Sequence, residues 1–222
     1  MLLDVIRRFL SLHGIPPCTL VAAVSGGTDS TALLILLTDL RDDGYEVVAA
    51  HVNHHLRGAE SDEDEAFVRT RCESLGVDLR VCDGTLAPRS VRSLGIEAAA
   101  REVRYRRLNE VRERTGARCV ATAHQKDDQA ETVLMRLRHG SGIEGLRGIH
   151  PVRDDGVVRP LLSVRRKQLE ELLAARRIAA RHDRSNDDLR FERNRVRALL
   201  RAGTSDAGTP SDDPTGLVDL LA

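Results

Sequence analysis

Six residues, Ser25, Gly26, Gly27, Thr28, Asp29 and Ser30, stand between the apolar run Val21-Ala22-Ala23-Val24 and a second one, Thr31-Ala32-Leu33-Leu34-Ile35-Leu36-Leu37. The first run has the character of a buried strand and the second reads as a helix, so the residues between them form a tight strand-to-helix turn. Such a turn can cradle an anion. A helix N-terminus presents backbone N–H groups without intrahelical acceptors and a partial positive charge, and glycines let a phosphate approach the backbone closely. The hydroxyls of Ser25, Thr28 and Ser30 add polar groups, and the carboxylate of Asp29 suits a magnesium ion or a helix-start amide. No Lys follows the glycines and the spacing is not G-x-G-x-x-G, so neither of those two nucleotide loops is present. The competing reading is an ordinary glycine turn with a Ser or Asp cap.

Other stretches carry comparable chemistry. His51-Val52-Asn53-His54-His55-Leu56-Arg57 holds three histidines, but no Cys or carboxylate at a suitable spacing, so nucleotide or loop contacts are expected there rather than zinc. Glu97, Arg101, Arg104 and Tyr105 fall at helical spacings on one face. They read either as a surface pair of Glu97 with Arg101 or as two guanidiniums aimed at phosphates or at developing negative charge. Asp128 and Glu131 lie three apart at a helix start and face the same way. They can hold magnesium, orient an amine or accept a proton. Alternatively Asp127 or Asp128 caps the helix and Glu131 completes a capping box. The acidic run from Glu60 to Glu65 reads as a solvated helix start. Near the end, an Asn/Asp turn at 183–188 leads into a helix bearing Arg193, Arg195 and Arg197.

These residues need a scaffold, and the apolar pattern supplies one. Helices are expected over 2 to about 13, 29–41, 61–75, 95–115 and 127–138, with Ser163 capping a helix to about 176. Strands are expected over 18–24, 46–52, 78–82 and 118–123; all are short, Val/Ala-rich and apolar on both faces. This alternation predicts an α/β fold, a Rossmann-like doubly wound parallel sheet, whose ligands bind beyond the C-terminal ends of the strands. The glycine turn, the His/Asn loop and the segment His124-Gln125-Lys126-Asp127-Asp128 all follow strands, so they converge on one mouth. Gly140 to Gly148 reads as a mobile loop over it. Residues 1–201 then form one catalytic domain, and 202–222, rich in Gly, Ser, Thr, Asp and Pro, read as a disordered tail.

Composition bounds the class. Lys+Arg and Asp+Glu balance at 34 each, which argues against a uniformly basic nucleic-acid binder. The balance hides a segregation: residues 101–201 hold 25 basic and 15 acidic residues, the remainder 9 and 19. All the basic residues but Lys126 and Lys167 are Arg, which suits bidentate phosphate contacts. Cys18, Cys72, Cys82 and Cys119 form no C-x-x-C pair, so neither zinc nor an iron–sulfur cluster is supported, and free thiols in a reducing compartment are expected. Asp4 and Arg7-Arg8 interrupt the N-terminal apolar residues, giving an amphipathic helix rather than a signal peptide. A cytoplasmic location is expected.

Ser-Gly-Gly-Thr-Asp-Ser resembles the pyrophosphate loop of the N-type ATP pyrophosphatases. The later words narrow the resemblance: His-Val-Asn-His-His-Leu-Arg at 51–57, Gly-Ile-Glu-Ala-Ala-Ala-Arg with Arg104-Tyr105, Ala-His-Gln-Lys-Asp-Asp-Gln-Ala-Glu-Thr at 123–132, Arg-Pro-Leu-Leu at 159–162, and Ser-Asn-Asp-Asp with Arg-Asn-Arg-Val-Arg at 193–197. In order, they are similar to the tRNA(Ile)-lysidine synthetase family. The resemblance implies an ATP-dependent ligase that adenylates C2 of a wobble cytidine and then joins L-lysine, releasing AMP and pyrophosphate. It implies that Ser25, Gly26, Gly27, Thr28, Asp29 and Ser30 bind the nucleotide phosphates, with His51 and Asn53 beside the nucleotide. Asp29 and Asp128 would meet magnesium, Arg101 and Arg104 the α-phosphate, and Asp128 and Glu131 magnesium, cytidine or the lysine ammonium. Arg193, Arg195 and Arg197 would meet tRNA phosphates. The implied partners are ATP, magnesium, tRNA(Ile) with a CAU anticodon and free L-lysine, with no membrane, and a homodimer is allowed. Family members usually carry further C-terminal domains that grip tRNA, and here a polar tail stands in that place. The alternatives are a related tRNA-modifying enzyme of the 2-thiolation type, or a non-catalytic ATP- or tRNA-binding relative.

Overall fold

The computed structural model describes residues 2–140, 147–181, 195, 196 and 200. Five strands, β1 (Thr19–Ala23), β2 (Glu46–Asn53), β3 (Asp78–Asp83), β4 (Cys119–Ala121) and β5 (Val157–Val158), form a sheet in the order β3-β2-β1-β4-β5. Every pairing within it is parallel. Alternate residues of the strands serve two cores, as strands covered on both faces must. Leu20, Ala22, Ala49, Ala121 and Val158 face one side, and Val21, Ala50, Val120 and Val157 the other.

On the first side lie α1 (Leu2–Leu12), α2 (Thr28–Thr38) and α7 (Arg166–Ala175). α2 is buried from Ser30 to Leu37, which explains why it is apolar all round and shows no polar stripe. α1 buries only Ile6 and Leu10, and α7 only Leu169 and Leu173, so these two are amphipathic covers. On the second side α5 (Ile96–Thr115) lays Leu108 and Val111 on Val21, Ala50 and Val120. As the link from β3 to the parallel β4, α5 runs back along the sheet, so its N-terminal half lies at the C-terminal edge of the strands. α3 (Ala59–Leu75) links β2 to β3, and α6 (Lys126–Arg138) follows β4.

Strand order reverses beside β1, between β1 and β4, so their C-terminal ends flank the crevice that such sheets use for ligands. The segments emerging there are the glycine turn after β1 and His124-Gln125 after β4.

Several expected boundaries move. The helix expected at 95–115 is preceded by α4 (Pro88–Leu94), with Pro88 at its first helical position and Gly95 at φ +80° separating the two. β5 is two residues long, too short to leave an alternation signal. The helix expected at 29–41 stops at Thr38, and a short 3₁₀ turn, Arg41–Asp43, follows. Ser163 does not cap α7. Residues 161–164 close a turn in which the Val164 N–H donates to the Leu161 carbonyl and the Val164 carbonyl accepts from Lys126 N–H, so the helix starts only after Arg165.

Candidate active site

The turn after β1 is braced from within. Ser30 Oγ accepts the Ser25 N–H at 3.1 Å, lies 3.1 Å from Ser25 Oγ, and donates to the Gly27 carbonyl at 3.1 Å. The Gly26 carbonyl accepts from Thr31 Oγ1 at 3.3 Å and from the Arg181 N–H at 3.0 Å. Gly27 also forms a single parallel bridge with Arg181, so the chain leaving α7 returns to hold the turn. Gly26 sits at φ +89°, a conformation open to glycine at little cost. The residue preceding α2 is Gly27, not Ser or Asp, and it makes no side-chain cap. The first-turn N–H groups of α2 are thus presented as an anion site would need them.

Asp29 is not a cap either. Its carboxylate takes Arg166 in a two-point contact, Nη2 to Oδ2 at 2.9 Å and Nε to Oδ1 at 3.5 Å. The backbone N–H of Arg166 donates to Asp127 Oδ2 at 3.0 Å. Asp29 is the second residue of α2, Asp127 the second of α6 and Arg166 the first of α7, so three helix N-termini meet at the switch point. α6 is capped by Gln125, whose Oε1 accepts the Asp127 N–H at 2.6 Å, while Asp128 Oδ2 accepts the Gln125 N–H at 3.0 Å. The box is therefore closed by Asp128; Glu131 lies a turn further on and is buried. Burial alone would lower the pKa of Arg166, but Asp29, then Asp128 and Glu131, outweigh it and hold the guanidinium above its usual range. Sequence spacing brings Asp128 and Glu131 together; only the fold adds Asp29 and the cation that faces all three.

His51 and Asn53, at the end of β2, build the adjoining wall. His51 is buried and its Nδ1 lies 2.8 Å from the Val24 carbonyl, just before the turn. Asn53 is buried too: its side chain donates to Asp62 and Glu65 of α3, each at 3.2 Å, and accepts the His55 N–H at 2.9 Å. His54 Nδ1 lies 2.8 Å from the Gly84 carbonyl, and no metal-holding group of three His, Cys, Asp or Glu occurs among the described residues. The acidic start of α3 is more than a solvated end, since Asp64 holds Arg57 at 2.6 Å and Arg181 at 2.5 Å.

Burial pushes the His51 pKa below its ordinary 6.5, against the raising effect of its bond to Val24. Below 6.5 the unfolded chain therefore binds more protons than the native one at this site, and stability falls as pH falls. The expected slope is up to about 1.4 kcal/mol per pH unit. His51→Asn, which keeps a donor near the Nδ1 position without a titrating ring, should remove that component from thermal midpoints measured between pH 7.5 and 5. An unchanged slope would assign the acid sensitivity elsewhere.

Arg101 and Arg104 do share a face, but around Tyr105. Their guanidinium carbons lie 4.8 and 5.4 Å from the ring centroid, and Arg153, from the segment before β5, lies at 4.7 Å. Burial raises the Tyr105 hydroxyl pKa, yet Arg101, Arg104 and the buried Arg159 more than offset it, and the net direction is down. Four arginines thus gather about one ring at the strand-end half of α5. Arg195 is described and exposed; Arg193, Arg197 and the loop residues 141–146 lie outside the described residues, as do the Asn/Asp turn at 183–188 and the tail from 202.

The family model for the PP-loop domain matches residues 3–202. The chain belongs to the PP-loop domain family. Among curated PP-loop relatives, tRNA(Ile)-lysidine synthase of Porphyromonas gingivalis is 49% identical over 178 residues, 80% of this chain and 38% of that protein. The enzyme of the same name from Geobacter sulfurreducens is 44% identical over 200 residues, 88% of this chain and 42% of that one. The chain thus spans about two fifths of the length of these relatives. Among solved structures, the U34-tRNA thiolase NcsA of Methanococcus maripaludis, described with a [4Fe-4S] cluster, superposes with a TM-score of 0.73 at 17% identity, over 99% of this chain and 77% of that one; this likeness speaks to the fold.

Membership of the PP-loop family carries ATP use with it, and the glycine turn after β1 is the candidate for the phosphate site. The residues here fit that nucleotide and its usual cation. A magnesium ion on a nucleotide keeps several waters and takes phosphate oxygens, so one or two carboxylates suffice. Asp29, in the first turn of α2, and Asp128, which acts on the same Arg166 guanidinium, are the candidates to provide them. The residues that sequence reading missed are Arg166 and Arg181. Arg166 left one trace: with Arg165 and Lys167 it puts three positive charges at the positive end of a helix, the unfavourable end for them.

Proposed function

We propose that this chain carries the centre of a tRNA(Ile)-lysidine synthase, which adenylates C2 of the wobble cytidine in tRNA(Ile) with a CAU anticodon and then joins L-lysine. The observation that supports it best is the meeting of Asp29, Asp128, Glu131 and Arg166 beside the uncapped loop, on a chain 49% identical to an enzyme of that name. The α2 N-terminus and the glycine turn hold the β- and γ-phosphates. Bound magnesium supplies charge neutralisation there, and Asp29 and Asp128 are the carboxylates that would hold it. Arg101 and Arg104 stabilise charge on the α-phosphate; Asp128 and Glu131 hold the lysine ε-ammonium beside the activated carbon and take a proton from it, so that the free amine forms the C–N bond as the C–O bond to AMP breaks. Arg193, Arg195 and Arg197 contact tRNA phosphates, and His51 and Asn53 fix the wall beside the nucleotide. Among the described residues no helix is long and apolar enough to cross a membrane, and we place the enzyme in the cytoplasm.

The test is to supply ATP, magnesium, labelled L-lysine and a CAU-anticodon tRNA. Release of AMP and pyrophosphate with label in the tRNA is expected. Pyrophosphate without label would point to a different acceptor, and no pyrophosphate to a binding module. In the same assay Tyr105→Leu removes the platform under Arg101 and Arg104 and should slow pyrophosphate release about 5- to 30-fold, the loss of two cation–π contacts. Tyr105→Phe keeps the ring and should stay within about 3-fold.

A further inference from the structure

Arg166 touches the glycine loop's carboxylate, and its surroundings are unusual for an arginine. It opens α7 within a first turn that carries no acidic residue, flanked by Arg165 and Lys167, at the helix end where positive charge is disfavoured. Its side chain is 24% exposed and that of its partner Asp29 16%, so both charges have left most of their water. Its backbone is fixed by Asp127, which leaves the side chain as the part able to move. Local rules are broken in this way where a ligand compensates.

We propose that Arg166 is a pyrophosphate-binding residue of the PP-loop, stored on Asp29 until the nucleotide arrives. This rests on reading the loop as the site of the ATP phosphates. When phosphate enters the turn with its cation, Asp29 exchanges Arg166 for the cation, and Arg166 exchanges Asp29 for phosphate oxygens. Both exchanges replace one ion pair by another, so neither side chain is left buried and unpaired. A guanidinium suits the second role because two N–H groups can meet two phosphate oxygens at once. The stored pair also keeps the cluster from emptying of positive charge, since Asp128 and Glu131 act on the same guanidinium. Asp29 and Arg166 are 137 residues apart, which is why no motif scan along the chain joins them.

Calorimetric titration of the full 222-residue chain with inorganic pyrophosphate, with and without magnesium, tests this. Arg166→Met, which keeps the stem and removes the charge, should weaken binding in magnesium by about 10- to 100-fold, the range of a bidentate charge-assisted contact. Arg166→Lys should recover part of it. The distinguishing variant is Asp29→Asn: without magnesium it should bind pyrophosphate several-fold more tightly than the unaltered chain, because the neutral amide holds Arg166 less tightly than the carboxylate does, and Asp29→Asn/Arg166→Met should lose that gain. Thermal midpoints are read alongside. If Arg166→Met binds pyrophosphate within about 2-fold of the unaltered chain while its midpoint falls, Arg166 is a structural clip between α2 and α7 and the proposal is overturned. If the unaltered chain binds no pyrophosphate in either condition, the phosphate reading of the loop fails, and the role of Arg166 with it.

Discussion

Asp29→Asn should abolish pyrophosphate release from ATP, by about 10³-fold or more, while leaving the chain folded. The asymmetry comes from where Asp29 stands. It is the second residue of α2, close after Gly26 and Gly27, and in the proposed function it is the carboxylate that would meet the cation accompanying the nucleotide. An amide keeps its size and one acceptor oxygen but cannot neutralise that cation, and the lost charge is felt most where phosphate charge develops. Stability should change much less. Arg166 keeps one hydrogen bond to the new amide and retains the attraction of Asp128 and Glu131. The expected cost is about 1 kcal/mol, or a midpoint shift of roughly 2–4 °C for a chain of this size. Circular dichroism melting and pyrophosphate release measured on the same preparation check both halves; normal turnover in Asp29→Asn would remove Asp29 from the site.

The largest combined effect on fold and activity is expected at Gly26. At φ +89° a β-branched side chain is strained whatever the space around it, and the first added carbon would lie 3.3 Å from Phe67 Cδ1 and 3.5 Å from Val68 Cγ2 of α3. Gly26→Val should cost about 2–4 kcal/mol, from backbone strain and overpacking together, and should displace the carbonyl that holds Thr31 and Arg181. Nucleotide binding should be lost with it. Gly27 differs in kind. Its φ is −71°, and a Cβ there meets only Ser25 Oγ, at 3.7 Å. Gly27→Ala should therefore melt within about 1 kcal/mol of the unaltered chain, yet still bind ATP more weakly because the methyl crowds the approaching phosphate. Equal destabilisation by the two changes would refute the distinction.

The alternation of strands and helices was legible because burial on both faces writes Val, Ala and Leu into short continuous runs. The weakest elements escaped it: α4 and the 3₁₀ turn Arg41–Asp43, which bury nothing, and β5, whose two residues cannot show a period. Cap assignments shifted by one to three residues, as at Gln125 and Arg165, since several polar side chains near a helix start can compete for the same N–H groups and packing decides among them.

The candidate site divides in the same way. Local sequence determined the glycine turn, the Asp128 and Glu131 pair and the shared face of Arg101 and Arg104, because each is fixed by a turn or by the 3.6-residue period within a few residues. What only the tertiary structure decided is which of these groups meet. The reversal of strand order beside β1 brings the starts of α2, α6 and α7 together, and so pairs Asp29 with Arg166. It also seats Arg181 on the turn through its backbone, and gathers Arg153 and Arg159 from the far side of β4 around Tyr105. The physical reason is that charge interactions act through space, and a chain records in its order only the neighbours that a single element can bring within reach.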